Sequence, residues 1–272
     1  MIKHEIAEIA TRLIAAHDNA TPLASLSAGD PAFDVATAYD VLAEIERRRC
    51  AQGWQPIGRK IGFTNRTIWP RYGVYQPMWA HVWAHTVHFA SKGHASLSLR
   101  RLVQPRIEPE VVFKLSAPVP VSDDAVEILR SIEWMAPGFE IVQSHFPDWR
   151  FTAADCTAAF GLHGALVVGA PLVITDANRA AIAAALPIFA LTLKRGNDVI
   201  DEGIGAHVLG SPTLAVAHLV RVLATQPNAP PLAAGEVITT GTLTDAWPVA
   251  PGETWSSNYG TLGIAGFELT LT

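Results

Sequence analysis

The feature that most constrains this chain is a change of texture at Trp54. Before it, apolar residues recur at helical spacing: Ile2, Ile6, Ile9 and Leu13, then Val35, Tyr39, Leu42 and Ile45, with Gly53 as a stop. Beyond it, apolar segments are short and broken at close intervals by glycine and proline, of which the chain has 20 and 19. That pattern predicts strands over 56–63, 106–115, 138–144, 162–168, 188–195, 237–240 and 262–271. Helices are expected over 123–134, 176–185 and 213–225, with Ser122 and Thr175 as N-caps. The Pro/Ala stretch 226–233 joins the last of these helices to the next strand. Helices and strands do not alternate strictly, which argues against a doubly wound parallel sheet. The expectation is an α+β protein: an N-terminal helical arm, 1–55, ahead of a strand-rich body, 56–272, that forms one compact unit.

A chain of 272 residues can bury a real core without staples. The formal charge is -5, and no basic stripe is interleaved with aromatics, so nucleic acid is excluded as a partner. The charged run 46–49 reads as a solvated helix end. Cys50 and Cys156 form neither a CxxC pair nor a zinc spacing. The start, Met1 to Glu5, lacks the apolar stretch of a signal peptide, and charges or prolines interrupt every apolar run before it reaches membrane length. These features predict a soluble cytoplasmic protein with no membrane partner.

The chemistry concentrates in RIEPEVVF, 106–113. Residues two apart in a strand share a face, so Glu108 and Glu110 point the same way, their Cα atoms roughly 6.5–7 Å apart. Pro109 between them donates no ladder bond and suggests an edge or bulge. Two carboxylates aimed into one space call for a hard divalent cation. The alternative is that both face solvent while Ile107, Val111 and Phe113 face the core. Glu140 lies in an apolar strand segment, GFEIV, where an unpaired carboxylate is expensive. A third metal ligand explains it, and so does an ion pair. Lys60, in GRKIGF, reads either as a surface lysine or as a group that holds a substrate carboxylate and exchanges protons with it.

The ordered set GRKIGFTN (58–65), RIEPEVVFKL (106–115), GFEIV (138–142) followed by Asp148 and Trp149, GAHVLGSPTLAVAHLVRVLA (205–224) and LAAGEVITTGTLTDAWPVAPGE (232–253) resembles the fumarylacetoacetate hydrolase superfamily. Within it the chain is most similar to the 2-keto-4-pentenoate hydratase and 4-oxalocrotonate decarboxylase branch, over nearly its whole length. Each block alone is weak, and five in order are strong. The resemblance implies a mixed, highly twisted β-roll with flanking helices, and assembly as a homo-oligomer. It implies Mg2+ or Mn2+ held by Glu108, Glu110 and Glu140, and Lys60 as a catalytic residue. It also implies that the turn containing Thr242 lines the substrate pocket.

One stretch departs from the branch. Where hydratases read like GVDQPDFG, this chain has GVYQPMWA, 73–80, with Tyr75 and Met78 at the acidic positions. Hydration loses a proton-transfer group there, while metal binding does not. Tyr75, Trp79 and Arg59 are candidate substrate contacts, and His81 a catalytic proton donor replacing the lost acid. Trp69, Trp79 and Trp83 suit either a bulkier substrate or the core. If 79–88 were helical, His81, His85 and His88 would share a face at zinc spacing, an alternative to a pocket or interface role. The glycine-rich 203–210 has the wrong spacing for a dinucleotide loop, and neither a GxSxG elbow nor a P-loop occurs.

An α-keto acid offers a cation two oxygens, and the polarised carbonyl then serves hydration, decarboxylation or C–C cleavage alike. The expected function is a metal-dependent lyase of hydratase type on a 2-hydroxy-dienoate or its keto tautomer, in aromatic-compound breakdown. Decarboxylation of a vinylogous keto diacid and hydrolysis of an acylpyruvate are the rival reactions. A non-catalytic partner subunit is the rival of another class, and a complex with a pathway enzyme is a further expectation.

Overall fold

The computed structural model describes residues 3–30, 32–66, 69–226 and 229–272. Ile2 of the expected first helix, and Pro227 and Asn228 of the 226–233 stretch, lie outside the described residues.

The helical start is α1 (Lys3–Asn19), α2 (Leu26–Gly29) and α3 (Val35–Ala51). Asp34 caps α3 by accepting from Thr37 N, and Gln52 ends it before Gly53 at φ +91°. Next come β1 (Pro56–Gly62), α4 (Trp69–Tyr72), β2 (Met78–Trp83), β3 (Val87–Phe89), β4 (His94–Leu97), β5 (Arg106–Leu115), α5 (Ala125–Leu129) and β6 (Ile132–Val142). They are followed by α6 (Ala153–Ala158), β7 (His163–Val168), β8 (Leu172–Val173), α7 (Arg179–Ala185), β9 (Ala190–Arg195) and β10 (Asp198–Ile204). The chain finishes with α8 (Pro212–Thr225), β11 (Val237–Thr239), β12 (Trp247–Pro248), β13 (Thr254–Asn258) and β14 (Glu268–Leu271).

The larger sheet runs β2-β1-β11-β5-β6-β7-β3, with β12 beside β5 and β8 beside β6; the smaller runs β10-β9-β13-β14-β4. Parallel and antiparallel pairs mix, β1 with β11 and β3 with β7 being parallel. The larger sheet is strongly curled. In a flat sheet β1 and β6 would stand three strand spacings apart, about 14 Å. Lys60 of β1 nevertheless reaches to 3.1 Å from Glu140 of β6. Val82, Val112, Ala136, Leu166, Val168 and Val237 fill the inside of the curl. The opposite face, with Ile107, Val111, Phe113, Phe139 and Ile141, packs into the main core with α8 and the smaller sheet. The fold is α+β with a curled mixed sheet. The helical start has its own core, in which Leu13, Phe33, Val41 and Ile45 pack on Phe146 and Phe160.

The helical readings at 123–134 and 79–88 fail where a ladder outcompetes helical spacing, and the expected strand 262–271 forms only from Glu268. The expected helix 123–134 ends at Leu129, because the β5–β6 pairing continues to Leu115 opposite Ile132. Its cap is Asp124, which accepts from Val126 N and Glu127 N, while Ser122 bonds Asp124 N and Glu127. Asn178 rather than Thr175 precedes α7. Residues 78–83 are a strand, so His81, His85 and His88 never share a helical face. The run Gly205–Thr225 is long and apolar enough to cross a membrane by composition, against expectation. Its α8 portion instead buries Ala215, Val216, Leu219 and Leu223 in the core.

Candidate metal and active site

Glu108 and Glu110 project from one face of β5 into the curl, and Glu140 stands directly across the ladder from Glu108. Glu110 and Glu140 are fully buried; Glu108 is half-buried on the wall of a pocket. Each of the three offers one oxygen, and these atoms all lie within 4.8 Å of one another. Among the described residues no other group of His, Cys, Asp and Glu gathers this way.

Each carboxylate is held from behind. Glu110 Oε2 accepts from Gly241 N at 2.7 Å. Gly241 has φ +96°, and a Cβ there would strike Thr64 Oγ1 at 1.8 Å, so this donor needs glycine. The Tyr259 hydroxyl donates to Glu110 O at 2.6 Å and accepts from Gly138 N, tying β5 to β6 beside the carboxylates. Glu140 Oε1 meets His163 Nδ1 at 2.8 Å, and His163 Nε2 meets Thr86 Oγ1 at 2.8 Å. The Thr86 hydroxyl also lies 2.9 Å from Trp83 O, which fixes it beside the ring.

Lys60 Nζ lies 3.1 Å from Glu140 Oε2 and donates to Gly161 O at 3.1 Å. Gly161 has φ +58°, and a Cβ there would crowd Ala80 Cβ at 2.6 Å and Lys60 Cδ at 3.2 Å. Burial pushes the Glu108 carboxyl up to about 7, with Glu140 adding to the rise and Lys60 opposing it. Burial, Glu140 and Glu108 raise Glu110 well above the carboxylate range. Burial opposes ionisation of Glu140 too, yet Lys60 and His163 hold it down to about 2. Burial would lower Lys60, but the three carboxylates, Glu140 first, raise it above the ordinary lysine value and keep it charged.

This set fits a hard divalent cation. Glu110 Oε1 is buried with no hydrogen-bond partner, and the ligand atoms are all carboxylate oxygens, as magnesium and manganese prefer. A cation among them would supply the charge that one lysine leaves short.

The pocket beside the carboxylates encloses about 270 Å3 and is lined by Lys60, Thr64, Asn65, Arg106, Glu108 and Thr242, among others. Thr242 thus reaches the same cavity as Lys60 and Glu108. Arg59, Trp79 and His81 do not. Strand alternation that turns Lys60 inward turns Arg59 outward, and across the β1–β2 ladder Ala80 pairs with Lys60 while His81 pairs with Arg59. His81 Nε2 is 3.0 Å from Glu46 of α3, and Arg59 meets Glu236 and Pro230 O with its guanidinium over Trp79. Tyr75 is 82% exposed. Their expected places in the pocket are therefore corrected: three belong to the packing between β1–β2 and α3, and Tyr75 faces solvent. Trp69 and Trp83 also stay off the pocket, where Trp149 and Trp247 stand instead. Sequence reasoning missed His163, although a histidine opening an apolar strand carries the same signal as Glu140.

No family model matches the chain. It is 31% identical over 263 residues to a 2-hydroxyhexa-2,4-dienoate hydratase of Comamonas testosteroni, covering 95% of each chain. A 4-oxalocrotonate decarboxylase of Pseudomonas sp. strain CF600 is 28% identical over 231 residues, covering 84% of this chain and 83% of the relative. Among solved structures, 4-oxalocrotonate decarboxylase from Pseudomonas putida G7, complexed with magnesium and adipate, superposes with a TM-score of 0.89 at 24% identity, covering 100% of this chain and 99% of that one. Fumarylpyruvate hydrolase from Pseudomonas aeruginosa, in complex with Mn2+ and pyruvate, gives 0.61 at 14% identity, covering 79% and 88%.

Proposed function

The chain belongs to the family of 2-keto-4-pentenoate hydratases and 4-oxalocrotonate decarboxylases within the fumarylacetoacetate hydrolase superfamily, and from that premise we propose that it is a metal-dependent lyase of hydratase type. Its substrate is a 2-hydroxy-dienoate, the chemistry of aromatic-compound breakdown. The observation that carries the reading is the meeting of Glu108, Glu110, Glu140 and Lys60 at one pocket.

Glu108, Glu110 and Glu140 would hold Mg2+ or Mn2+, which when bound polarises the substrate's 2-oxygen and neutralises its carboxylate. Hydration then needs a proton moved and water positioned. The 2-hydroxyl gives up its proton while C5 gains one, turning the dienol into a 2-keto-3-enoate. Water oxygen adds at C4, loses a proton, and C3 takes one, so that one water is consumed. Lys60, charged and fixed by Glu140 and Gly161, is placed to donate to the 2-oxygen and stabilise the negative charge it gains as its proton leaves for C5. Thr242 and Asn65 offer hydroxyl and amide groups at the same cavity for orienting substrate and water. Decarboxylation of a vinylogous keto diacid uses the same polarised carbonyl, and the relatives named 4-oxalocrotonate decarboxylase favour it as the second reading.

The proposal extends to a homo-oligomer, to a complex with a pathway enzyme, and to a cytoplasmic location, with Cys50 and Cys156 both free thiols. Light scattering of the purified protein tests the first. The function is tested by following loss of dienol absorbance with magnesium or manganese and identifying products by NMR. Formation of a 4-hydroxy-2-keto acid, abolished by chelator and restored by metal, is expected. Full activity in metal-free protein, or no turnover of any dienoate, overturns the reading.

A further inference from the structure

We propose that the pocket selects dienoates whose far end carries an uncharged alkyl group, and that Met78 sets how long that group can be. The inference rests on the lyase reading above and names the substrate class for the same site.

The pocket has two kinds of wall. Charge lies on one side: Glu108 and Arg106 share a face of β5, Arg106 is stacked 4.1 Å over the Trp149 ring, and Asp245 belongs to the exposed turn before β12. The other wall is apolar. Met78, Val142, Cys156 and Leu162 form one buried cluster, with Phe151 packed against it, and all five line the cavity. They come from β2, β6, α6, the stretch just before α6 and the turn before β7, so no single strand pattern announces them.

This wall adjoins Lys60. A Cβ on Gly161 would meet Met78 Cε at 3.1 Å and Lys60 Cδ at 3.2 Å, so the Met78 methyl and the Lys60 stem lie against the same backbone. Met78 is 4% exposed, and across the ladder it faces Gly62, two residues beyond Lys60 on the same strand face. A substrate whose head sits at the carboxylates and whose 2-oxygen meets Lys60 therefore extends its tail toward Met78. Burial also pushes the Cys156 thiol up to about 12, so this wall stays uncharged at neutral pH. A tail carboxylate there would lose its water with no cation on that wall to replace it. An alkyl tail gains about fourfold in kcat/KM for each methylene buried. Methionine is unbranched and adaptable, suited to close such a wall around tails of slightly different length.

The test is a substrate series with the metal-loaded full chain. The members are 2-hydroxypenta-2,4-dienoate, its terminal methyl, ethyl and propyl homologues, and the diacid 2-hydroxyhexa-2,4-dienedioate. Ratios of kcat/KM within one preparation are read, because they do not depend on the folded fraction. Expected are a methyl-to-hydrogen ratio of about 4, a further rise or plateau at ethyl, and a diacid at least about 100-fold below the methyl compound. Met78→Ala, which opens the wall, should bring the methyl-to-hydrogen ratio close to 1 and move the optimum to a longer tail. Met78→Leu, close in volume, should keep the wild-type order. A diacid turned over as well as the methyl homologue overturns the inference and leaves the lyase reading standing. Unchanged ratios in Met78→Ala overturn the role of Met78. Failure of every dienoate overturns the lyase reading, and this inference with it.

Discussion

Lys60→Met separates the roles that the site gives to this lysine. The substitution keeps the length of the buried stem and removes the ammonium 3.1 Å from Glu140 Oε2. Breaking a buried ion pair costs about 3–5 kcal/mol. The lower end, about 3 kcal/mol, applies here, since His163 stays on Glu140 Oε1 at 2.8 Å and a carboxyl can take up a proton. With about 2.1 cal/mol/K of unfolding entropy per residue, 272 residues make each kcal/mol worth about 2 °C. The metal-free variant should therefore melt about 5 °C below the metal-free wild type. A divalent cation should bind it more tightly, by about tenfold or more, because the three carboxylates lose their competing positive charge. Saturating magnesium should then narrow the gap in Tm. Turnover of the dienol should still fall by about 10²–10⁴, the usual weight of a general acid or base. Calorimetry with and without chelator, manganese titration and dienol absorbance measure the three effects. Turnover within a few-fold of wild type with an unchanged metal-free Tm would remove Lys60 from the chemistry. Loss of turnover with weaker metal binding would make it a support of the metal site instead.

Glu110→Gln keeps an acceptor for Gly241 N but removes one carboxylate charge, and should raise the metal dissociation constant at least about tenfold by manganese titration. Wild-type affinity in that variant would take Glu110 out of the ligand set. Acidification should loosen the helical start. Burial, followed by Arg49 and His145, lowers His17 to about 4, so the unfolded chain binds a proton there that the folded chain does not. Stability present above pH 6.5 is lost progressively as pH falls toward 4, by up to about 3 kcal/mol, and His17→Gln should flatten that part of a denaturant-midpoint profile. Asp155→Ala removes the acceptor shared by Leu26 N, Ser27 N and Thr152 N. Leaving those donors unpaired should cost about 3–5 kcal/mol in urea unfolding, and a loss below about 1 kcal/mol would show that water replaces the carboxylate.

What the sequence disclosed was local. The shared face of Glu108 and Glu110 follows from strand alternation, and Glu140 declares itself by being charged within an apolar run. The neighbours of Lys60 were misplaced for a physical reason. β1 is buried on both faces from Gly58 through Ile61, so it lacks the polar alternation that tells one face from the other. Arg59, Trp79 and His81 then look as close to the chemistry as Lys60 does, although the β1–β2 ladder turns all three toward α3. A helix is expected over 123–134, and only the long-range ladder of β6 with β5 decides otherwise from Ile132 onward. Strands of two or three residues such as β3, β8 and β12 are too short for any periodicity to show. The pairing of His163 with Glu140 spans 23 positions and depends on register, which no local pattern fixes.

Pro109 shows how one residue opens the sheet at the site. β5 pairs with β11 through Val112–Lys114 and with β12 through Arg106 and Ile107. Between these ladders the chain at 240–246 runs beside β5 without becoming a strand. In a ladder Pro109 would both accept from and donate to the residue opposite. It accepts from Leu243 N at 3.0 Å but has no N–H to return, and Leu243 O bonds His207 Nδ1 at 2.9 Å instead. The segment meets the β5 backbone at Thr240 N–Val111 O, 3.3 Å, and again at Leu243 N–Pro109 O, without the reciprocal bonds that would zip it into a ladder. Between those two contacts Gly241 N meets the Glu110 carboxylate instead of the backbone, and Thr242 and Thr244 line the pocket. The proline between the two glutamates thus keeps the ladder from closing over the carboxylates it separates.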